Sequence, residues 1–310
     1  MNSFRQLEYI SAVAKHRSIT KAAESLYISQ SAMSHYILKI EEELGLPLFN
    51  RSTTPISLTY AGECFVDSAN RILLEREQLN KRFRDISDYT VGKLKIGTSR
   101  ERGAYMMPIL IPAFAKLYPG IDIEVFTASG YKLREALREG LVDFLILPNY
   151  SYEESIGIER ENIYREELLY VAHNDVVKKH HLVKSMEKHV NLKKLEDIPY
   201  FLLFQEHAIR NASNHIFKQN NVKPQIKMEF SSNITCLRMA STGMGSAIIP
   251  HLTTNLTKVS SDLSLFSIGR EGVFWDVQVL YLKDSYLGQP ERDFFNLIGQ
   301  LFDKEGLHSR

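Results

Sequence analysis

Gln30, Ser31, Ser34, His35 and Tyr36 crowd the opening of one helical stretch, and all five carry hydrogen-bonding groups at neutral pH. Side chains of this kind, set at the amino end of a helix, can exchange hydrogen bonds with the edges of base pairs in the major groove. Lys39, three to four residues further along, and Arg51, Ser52 and Thr53 beyond the helix offer cationic and hydroxyl partners for phosphate, as do Thr20 and Lys21 before it. A second set of groups lies far downstream. Thr98, Ser99 and Arg100 follow one apolar run, and Ala128, Ser129 and Gly130 follow the next. Phe204, Gln205, Glu206 and His207 follow a third, and Ser231, Ser232 and Asn233 precede a helix. Hydroxyls and backbone N–H groups at such strand-to-helix turns favour a small anion, with a carboxylate the leading class, and Arg100, Arg102 or Arg210 would add charge.

Around the first set, the sequence spells a helical pair. Ser18 caps a helix through Leu26 in which Ala22, Ala23 and Leu26 form one packing face. A second helix opens at Ser29, buries Ala32, Met33, Ile37, Ile40 and Leu44, and stops at Gly45 and Pro47. On periodicity alone, an ordinary helical hairpin with a polar outer face fits as well. The run from Ser18 to Ser34, followed by Leu44-Gly45-Leu46-Pro47-Leu48-Phe49-Asn50-Arg51 and Leu58-Thr59-Tyr60-Ala61-Gly62, closely resembles the amino-terminal domain of LysR-type transcriptional regulators. The resemblance implies a winged helix-turn-helix that binds double-stranded promoter DNA as a dimer, with the recognition helix starting near Ser29 and the wing between Arg51 and Leu58. Three positions depart from the family pattern. Ser31 stands where proline is common, His35 where arginine is usual, and Thr54 where the wing often has a second arginine, so phosphate-binding charge is reduced.

Charge gives little help to DNA binding. The net charge of the 310 residues is +1, and in the head Arg5, Lys15, Arg17, Lys21, Lys39 and Arg51 barely outnumber Glu8, Glu24, Glu41, Glu42 and Glu43. A single head should therefore bind weakly and depend on dimerisation. Thr59 caps a long helix expected from Tyr60 to Asp88. Phe65, Ala69, Ile72, Leu79, Phe83 and Ile86 form a coiled-coil-like stripe along it if Arg76 takes one seam position. Pairing with a second copy would bury that stripe, whereas packing on the chain's own head would use only part of it. The family resemblance makes this helix the dimerisation linker.

From Lys93 onward, strand and helix alternate, which argues for parallel sheets covered by helices. Strands are expected at Leu94–Gly97, Ile121–Phe126, Val142–Leu147, Glu167–His173, Tyr200–Phe204, Gln225–Phe230, Ser246–Pro250, Leu263–Ile268 and Val277–Leu282. Helices are expected through Met107 to Leu117, at Tyr131–Gly140, Ile209–Asn220 and Ile234–Ser241, and last at Gln289–Phe302. The fold expected is a multidomain α+β chain: a winged helix-turn-helix over residues 1–59, a linker helix over 60–91, and a two-lobed α/β domain over 92–310. Lobe I takes about 92–162 and 266–310, and lobe II about 163–265. The fragments Gly92–Gly97, Leu137–Asp143 and Gly243–Pro250 resemble the effector-binding domain of the same family, which shares its architecture with periplasmic solute-binding proteins. That resemblance implies a small-molecule effector between the lobes, at Thr98, Ser99, Arg100, Ser129, Gly130, Phe204, Gln205, His207 and Asn233. It also implies a homodimer through the linker, a homotetramer, and RNA polymerase as a further partner.

Other classes find less support. No nucleophile elbow, phosphate loop or metal-ligand spacing is present, so no catalytic residue, metal or cofactor is expected, and Glu41, Glu42 and Glu43 read as a solvated helix face. Cys64 and Cys236 are too far apart in the fold expected to bridge without a large rearrangement. His180 and His181 belong to the basic stretch Val177–Lys184, which reads as a surface loop. The amino terminus lacks a signal-peptide pattern, and no apolar run reaches the roughly 18 to 20 residues that span a bilayer. A cytoplasmic protein without membrane partners is expected, rather than a solute-transport component.

Overall fold

The computed structural model describes residues 4–86, 91–149, 157–179 and 189–307 and divides the chain into two units, residues 1–88 and 89–310. The first unit opens with α1 (Phe4–His16), a helix absent from the sequence reading although Leu7, Ile10 and Val13 recur at helical spacing. α2 (Ile19–Ser25) follows, and the Ser18 hydroxyl caps it by accepting from the Lys21 N–H at 3.4 Å. α3 (Gln30–Leu44) is capped in the same way by Ser29, which accepts from the Ala32 N–H at 3.2 Å, and Gly45 ends it at φ +68°. β1 (Phe49–Asn50) and β2 (Ser57–Leu58) pair antiparallel as a short wing. α4 (Tyr60–Ile86) completes the unit. Thr59 caps it by accepting from the Gly62 N–H at 3.0 Å, while donating to the Pro47 carbonyl at 2.6 Å. Gly62 is required at that crossing: a Cβ there would lie 2.0 Å from the Leu48 carbonyl oxygen.

Ile10, Val13, Ala22, Ala23, Met33, Ile37, Ile40 and Leu48 make the core of this unit. Each large side chain buried contributes roughly 1.5 to 3 kcal/mol. Ala32 is only half-buried and Leu44 is 37% exposed, because α3 runs on past so small a core. The stripe on α4 divides. Phe65 packs against the core and Ala69 is buried, while Arg76 takes no seam position: it donates to Glu8 at 2.6 Å and stacks on the Phe4 ring. Ile72, Leu79 and Phe83 remain largely exposed. Residues 87–90 and the side chain of Ile86 lie outside the described residues.

In the second unit, β3 (Gly92–Thr98), α5 (Arg100–Leu117), β4 (Ile121–Thr127), α6 (Gly130–Arg138) and β5 (Phe144–Pro148) alternate, with β3 parallel to both β4 and β5. β6 (Ile158–His173) leads through α7 (Asn174–Lys179) and β7 (His189–Val190) to the second lobe. That lobe contains β8 (Tyr200–Leu203), α8 (Ala208–Gln219), β9 (Ile226–Phe230), α9 (Asn233–Ala240), β10 (Ser246–Pro250), α10 (Thr253–Leu256) and β11 (Leu263–Ile268). β12 (Val273–Leu282) returns to the first lobe, and α11 (Gln289–Leu307) closes the chain. The sheet order is β4-β3-β5-β12-β6-β10-β8-β9, with β11 joined to β6 and β7. β8 is parallel to β9 and β10, so each lobe has its own parallel set. The antiparallel pair β6 and β12 joins the two sets, and the core runs through this joint from Phe114, Phe144 and Phe294 to Tyr170 and Phe201.

Some sequence expectations are corrected. β6 begins at Ile158 rather than Glu167, since its charged residues Glu159, Arg160 and Glu161 mask the strand signal. β6 runs across the border expected near 162/163 and β11 across that near 265/266, and among the described residues β11 pairs with β6 and β7. α5 starts at Arg100, well before Met107, despite Pro108 and Pro112 within it. Val177, expected in a solvated loop, is buried in α7, and residues 180–188 with both histidines lie outside the described residues.

Candidate DNA-reading surface and ligand cleft

On α3, helical spacing places Ser31 with His35 and Lys39 on the side opposite the buried Met33, Ile37 and Ile40, and sets Gln30 with Ser34 at the border of the buried face, on the helix's first turns. Gln30, Ser31, His35, Tyr36 and Lys39 are exposed and Ser34 is half-buried; Thr20 and Lys21 are exposed on the first turn of α2. The Ser31 and Ser29 hydroxyls lie 3.1 Å apart. Tyr36 rests against Tyr9 of α1 with ring centroids 5.0 Å apart, which fixes its ring and leaves its edge open.

The wing is held by its own side chains. Asn50 Oδ1 accepts from the Ser52 N–H at 3.1 Å and from its hydroxyl at 2.6 Å, and Thr53 Oγ1 donates to the Asn50 carbonyl at 3.2 Å. Ser52 and Thr53 are exposed yet already bonded in this turn. Glu41 departs from the sequence reading. Only 12% of its side chain is exposed: Oε1 accepts from the Leu48 and Phe49 N–H groups at 2.8 and 3.1 Å, and Oε2 accepts from Arg51 at 2.7 Å. Its position one turn past Ile37 on the inner side of α3 is the sequence sign of this role. Asn50 as organiser of the wing also escaped the sequence reading.

In the second unit the four segments converge. β3 and β4 are adjacent and in register at Thr98 and Thr127, so Ser99 and Ser129 begin α5 and α6 side by side at the strands' carboxyl ends. Neither serine makes the usual side-chain cap bond, nor does His207 at the start of α8. Arg100 is exposed and makes no hydrogen bond among the described residues, Ser129 is exposed, and Gly130 is the first residue of α6. In the second lobe, Phe204 and Gln205 are exposed after β8, and the Phe204 N–H donates to the Phe230 carbonyl of β9 at 2.9 Å. Glu101 joins the two sides: its carboxylate accepts from the Ser232 hydroxyl at 2.7 Å, the Asn233 N–H at 2.8 Å and Asn233 Nδ2 at 2.7 Å.

Four expected ligand groups have structural partners instead. Thr98 is fully buried and donates to the Ile146 carbonyl at 3.0 Å, tying β3 to β5. Asn233 is bound to Glu101. Arg102 is buried against Tyr164 and Glu166, at 2.6 and 2.7 Å, and Glu166 also accepts from Trp275 and from the Leu252 N–H. Burial opposes the Arg102 charge, but Tyr164 and Glu166 outweigh it and hold the guanidinium above its ordinary value; burial also pushes the Tyr164 phenol up. Arg210 is buried against the Leu203 carbonyl, Glu229 and Asn214. Cys64 is exposed and Cys236 buried, both as free thiols; burial, helped by Glu101, pushes Cys236 up to about 12. Among the described residues there is no group of three or more His, Cys, Asp or Glu placed to hold a metal, and no helix long and apolar enough to cross a membrane.

Comparison with known proteins agrees with this anatomy. Residues 4–63 match the model of the lysR family of bacterial regulatory helix-turn-helix proteins, and residues 87–303 match that of the LysR substrate binding domain. A probable RuBisCO transcriptional regulator of Thalassiosira pseudonana is 29% identical over 298 residues, covering 95% of this chain and 96% of that one. The HTH-type transcriptional activator CmpR of Synechocystis is 28% identical over 278 residues, 90% of this chain and 84% of that one. Among solved structures, a full-length OxyR variant from Pseudomonas aeruginosa superposes with TM-score 0.73 at 22% identity, covering 97% of this chain and 94% of that one. Full-length CbnR in complex with its target DNA gives 0.63 at 23%, covering 95% and 98%. The chain belongs to the LysR family: it is a transcriptional regulator with a helix-turn-helix head and a substrate-binding domain, in a family of regulators rather than enzymes.

Proposed function

We propose that this regulator reads promoter DNA through the amino-terminal half of α3 and changes its grip when a small carboxylate, or another small anion, enters the cleft between the lobes. The observation that carries the first part is the set of exposed hydrogen-bonding side chains on the first turns of α3, held in place by the buried Met33, Ile37 and Ile40. Gln30, Ser31, Ser34 and His35 meet base edges, and Thr20, Lys21, Tyr36, Lys39, Ser52 and Thr53 lie nearer phosphate. Two heads act together, joined by the exposed Ile72, Leu79 and Phe83 of α4, and two such dimers form a tetramer on neighbouring half-sites in the cytoplasm. RNA polymerase is the natural recipient of the signal.

In the cleft, the uncapped hydroxyls of Ser99 and Ser129, the N–H of Gly130 and the exposed Arg100 receive the anion. Phe204, Gln205 and His207 contact the rest of the ligand from the other lobe. The ligand acts by preferring one arrangement of lobes or subunits, and only that difference in affinity shifts the DNA-binding population. Footprinting on the promoter beside the protein's own gene at physiological salt, with and without a panel of small carboxylates, tests both parts. Protection over two half-sites on one face of the duplex, altered by one compound and lost in an Arg100→Ala, Ser129→Ala variant, is the expected result. Protection that no small anion alters would refute the carboxylate, and absence of protection from any promoter tried would refute the DNA reading.

A further inference from the structure

The wing arginine stands out because its charge is answered within the head. The Arg51 side chain is 38% exposed and donates to Glu41 at 2.7 Å, while Lys21 and Lys39 of α2 and α3 have no carboxylate partner among the described residues. Glu41 is not free to follow Arg51 outward. Its other oxygen is held by the Leu48 and Phe49 N–H groups at the root of the wing, and only 12% of its side chain reaches solvent. An anion held by two backbone N–H groups keeps its position whichever way Arg51 turns.

We propose that Glu41 is a specificity-determining residue of this head. It positions the wing through its backbone bonds and withholds Arg51 from phosphates that are not already in place. Non-specific affinity rises with each cation that replaces condensed counterions on the duplex. An arginine already paired with a fixed carboxylate gains little by exchanging it for a phosphate of a randomly placed duplex. Once base contacts from α3 have seated the head, a phosphate sits beside the wing at no further cost in orientation, and the guanidinium can bridge phosphate and carboxylate. Glu41 thus lowers binding to random DNA more than binding to the operator, a discrimination achieved by weakening the wrong complex. The inference rests on the proposed DNA reading through α3.

The test is the salt dependence of binding to a random-sequence duplex, measured by fluorescence anisotropy on the full chain with Glu41→Gln, Arg51→Ala and the double variant. Glutamine keeps an oxygen for the Leu48 and Phe49 N–H groups, so the wing is retained, and a thermal melt of each variant confirms the fold. Glu41→Gln is expected to tighten random-duplex binding several-fold at low salt and to steepen the plot of log affinity against log salt by about 0.9 per head. In the double variant that steepening is expected to vanish. Equal steepening with and without Arg51 would overturn the proposal, as would an Arg51→Ala variant that by itself flattens the slope by about 0.9, since Arg51 would then already sit on phosphate. If the unmodified chain bound the duplex without any salt dependence, the DNA reading itself would fall, and this inference with it.

Discussion

Glu41 in the head and Glu101 in the ligand domain perform the same task at different range. Each carboxylate collects three hydrogen bonds of 2.7 to 3.1 Å and pins two elements together, but the donors of Glu41 lie 7 to 10 residues away and those of Glu101 lie 131 to 132 residues away. The local clamp joins a helix to the wing that follows it. The distant one joins α5 of the first lobe to α9 of the second, beside the buried Arg102–Glu166 pair. The difference concerns what each bond controls. Losing Glu41 loosens a reading surface whose core stays intact, whereas losing the Glu101 and Arg102 contacts loosens the relation between lobes on which any ligand response depends. The distant clamp also occupies the amino end of α9, whereas Ser99 and Ser129 at the starts of α5 and α6 make no side-chain cap bond.

The comparison breaks most easily at the lobe joint. Arg102→Ala leaves Glu166 buried without its cation, so unfolding of the ligand domain should lose about 3 to 5 kcal/mol. Trp275, the only tryptophan, is buried and donates to Glu166, so its fluorescence in a urea titration reads this loss directly. A loss under 1 kcal/mol would mean the pair is no keystone. Glu101→Ala should cost about 2 kcal/mol by the same probe, because a charged acceptor with three partners is removed while water can reach the site. It should also speed amide exchange at Asn233. In the head, Ser29→Ala should cost about 1 kcal/mol by loss of the α3 cap, seen as faster exchange of the Ala32 amide with the Trp275 transition unmoved. A Trp275 transition that shifted with Ser29 would show that the two units do not unfold independently. Native thiol labelling separates the regions most gently: at neutral pH Cys64 should react, while Cys236, held near 12, should react only after unfolding.

How much of this was legible in the chain varies with sequence distance. The caps Ser18 and Thr59, the helix opening at Ser29, the stop at Gly45 and the burial of Met33, Ile37 and Ile40 are local patterns and lie where their spacing put them, whereas Ala32 and Leu44 do not. The parallel alternation from Lys93 follows from periodicity, so Ser99, Ser129 and His207 were found at strand-to-helix turns, although the helices begin earlier than the sequence suggested. Partners were not legible. Nothing near Arg102 or Arg210 in the sequence announces Glu166 or Glu229, so both arginines looked available for a ligand, and Thr98 looked like a free hydroxyl. The division of the α4 stripe followed the same rule, because the Glu8 that claims Arg76 belongs to a helix 68 residues earlier. Glu41 was misread for another reason: three consecutive glutamates suggest a wet surface, and only the first of them turns inward.

The central claim is that α3 reads base sequence. A duplex selected by the full chain from a random pool, compared with an unselected duplex of equal length at one salt concentration, tests it most directly. The selected duplex should bind the unmodified chain far more tightly. Gln30→Ala should cut that preference by about 1 to 3 kcal/mol per head at one base pair, while leaving the salt slope alone. Equal loss on both duplexes would place Gln30 on phosphate and contradict the account; no preference in the unmodified chain would contradict it outright.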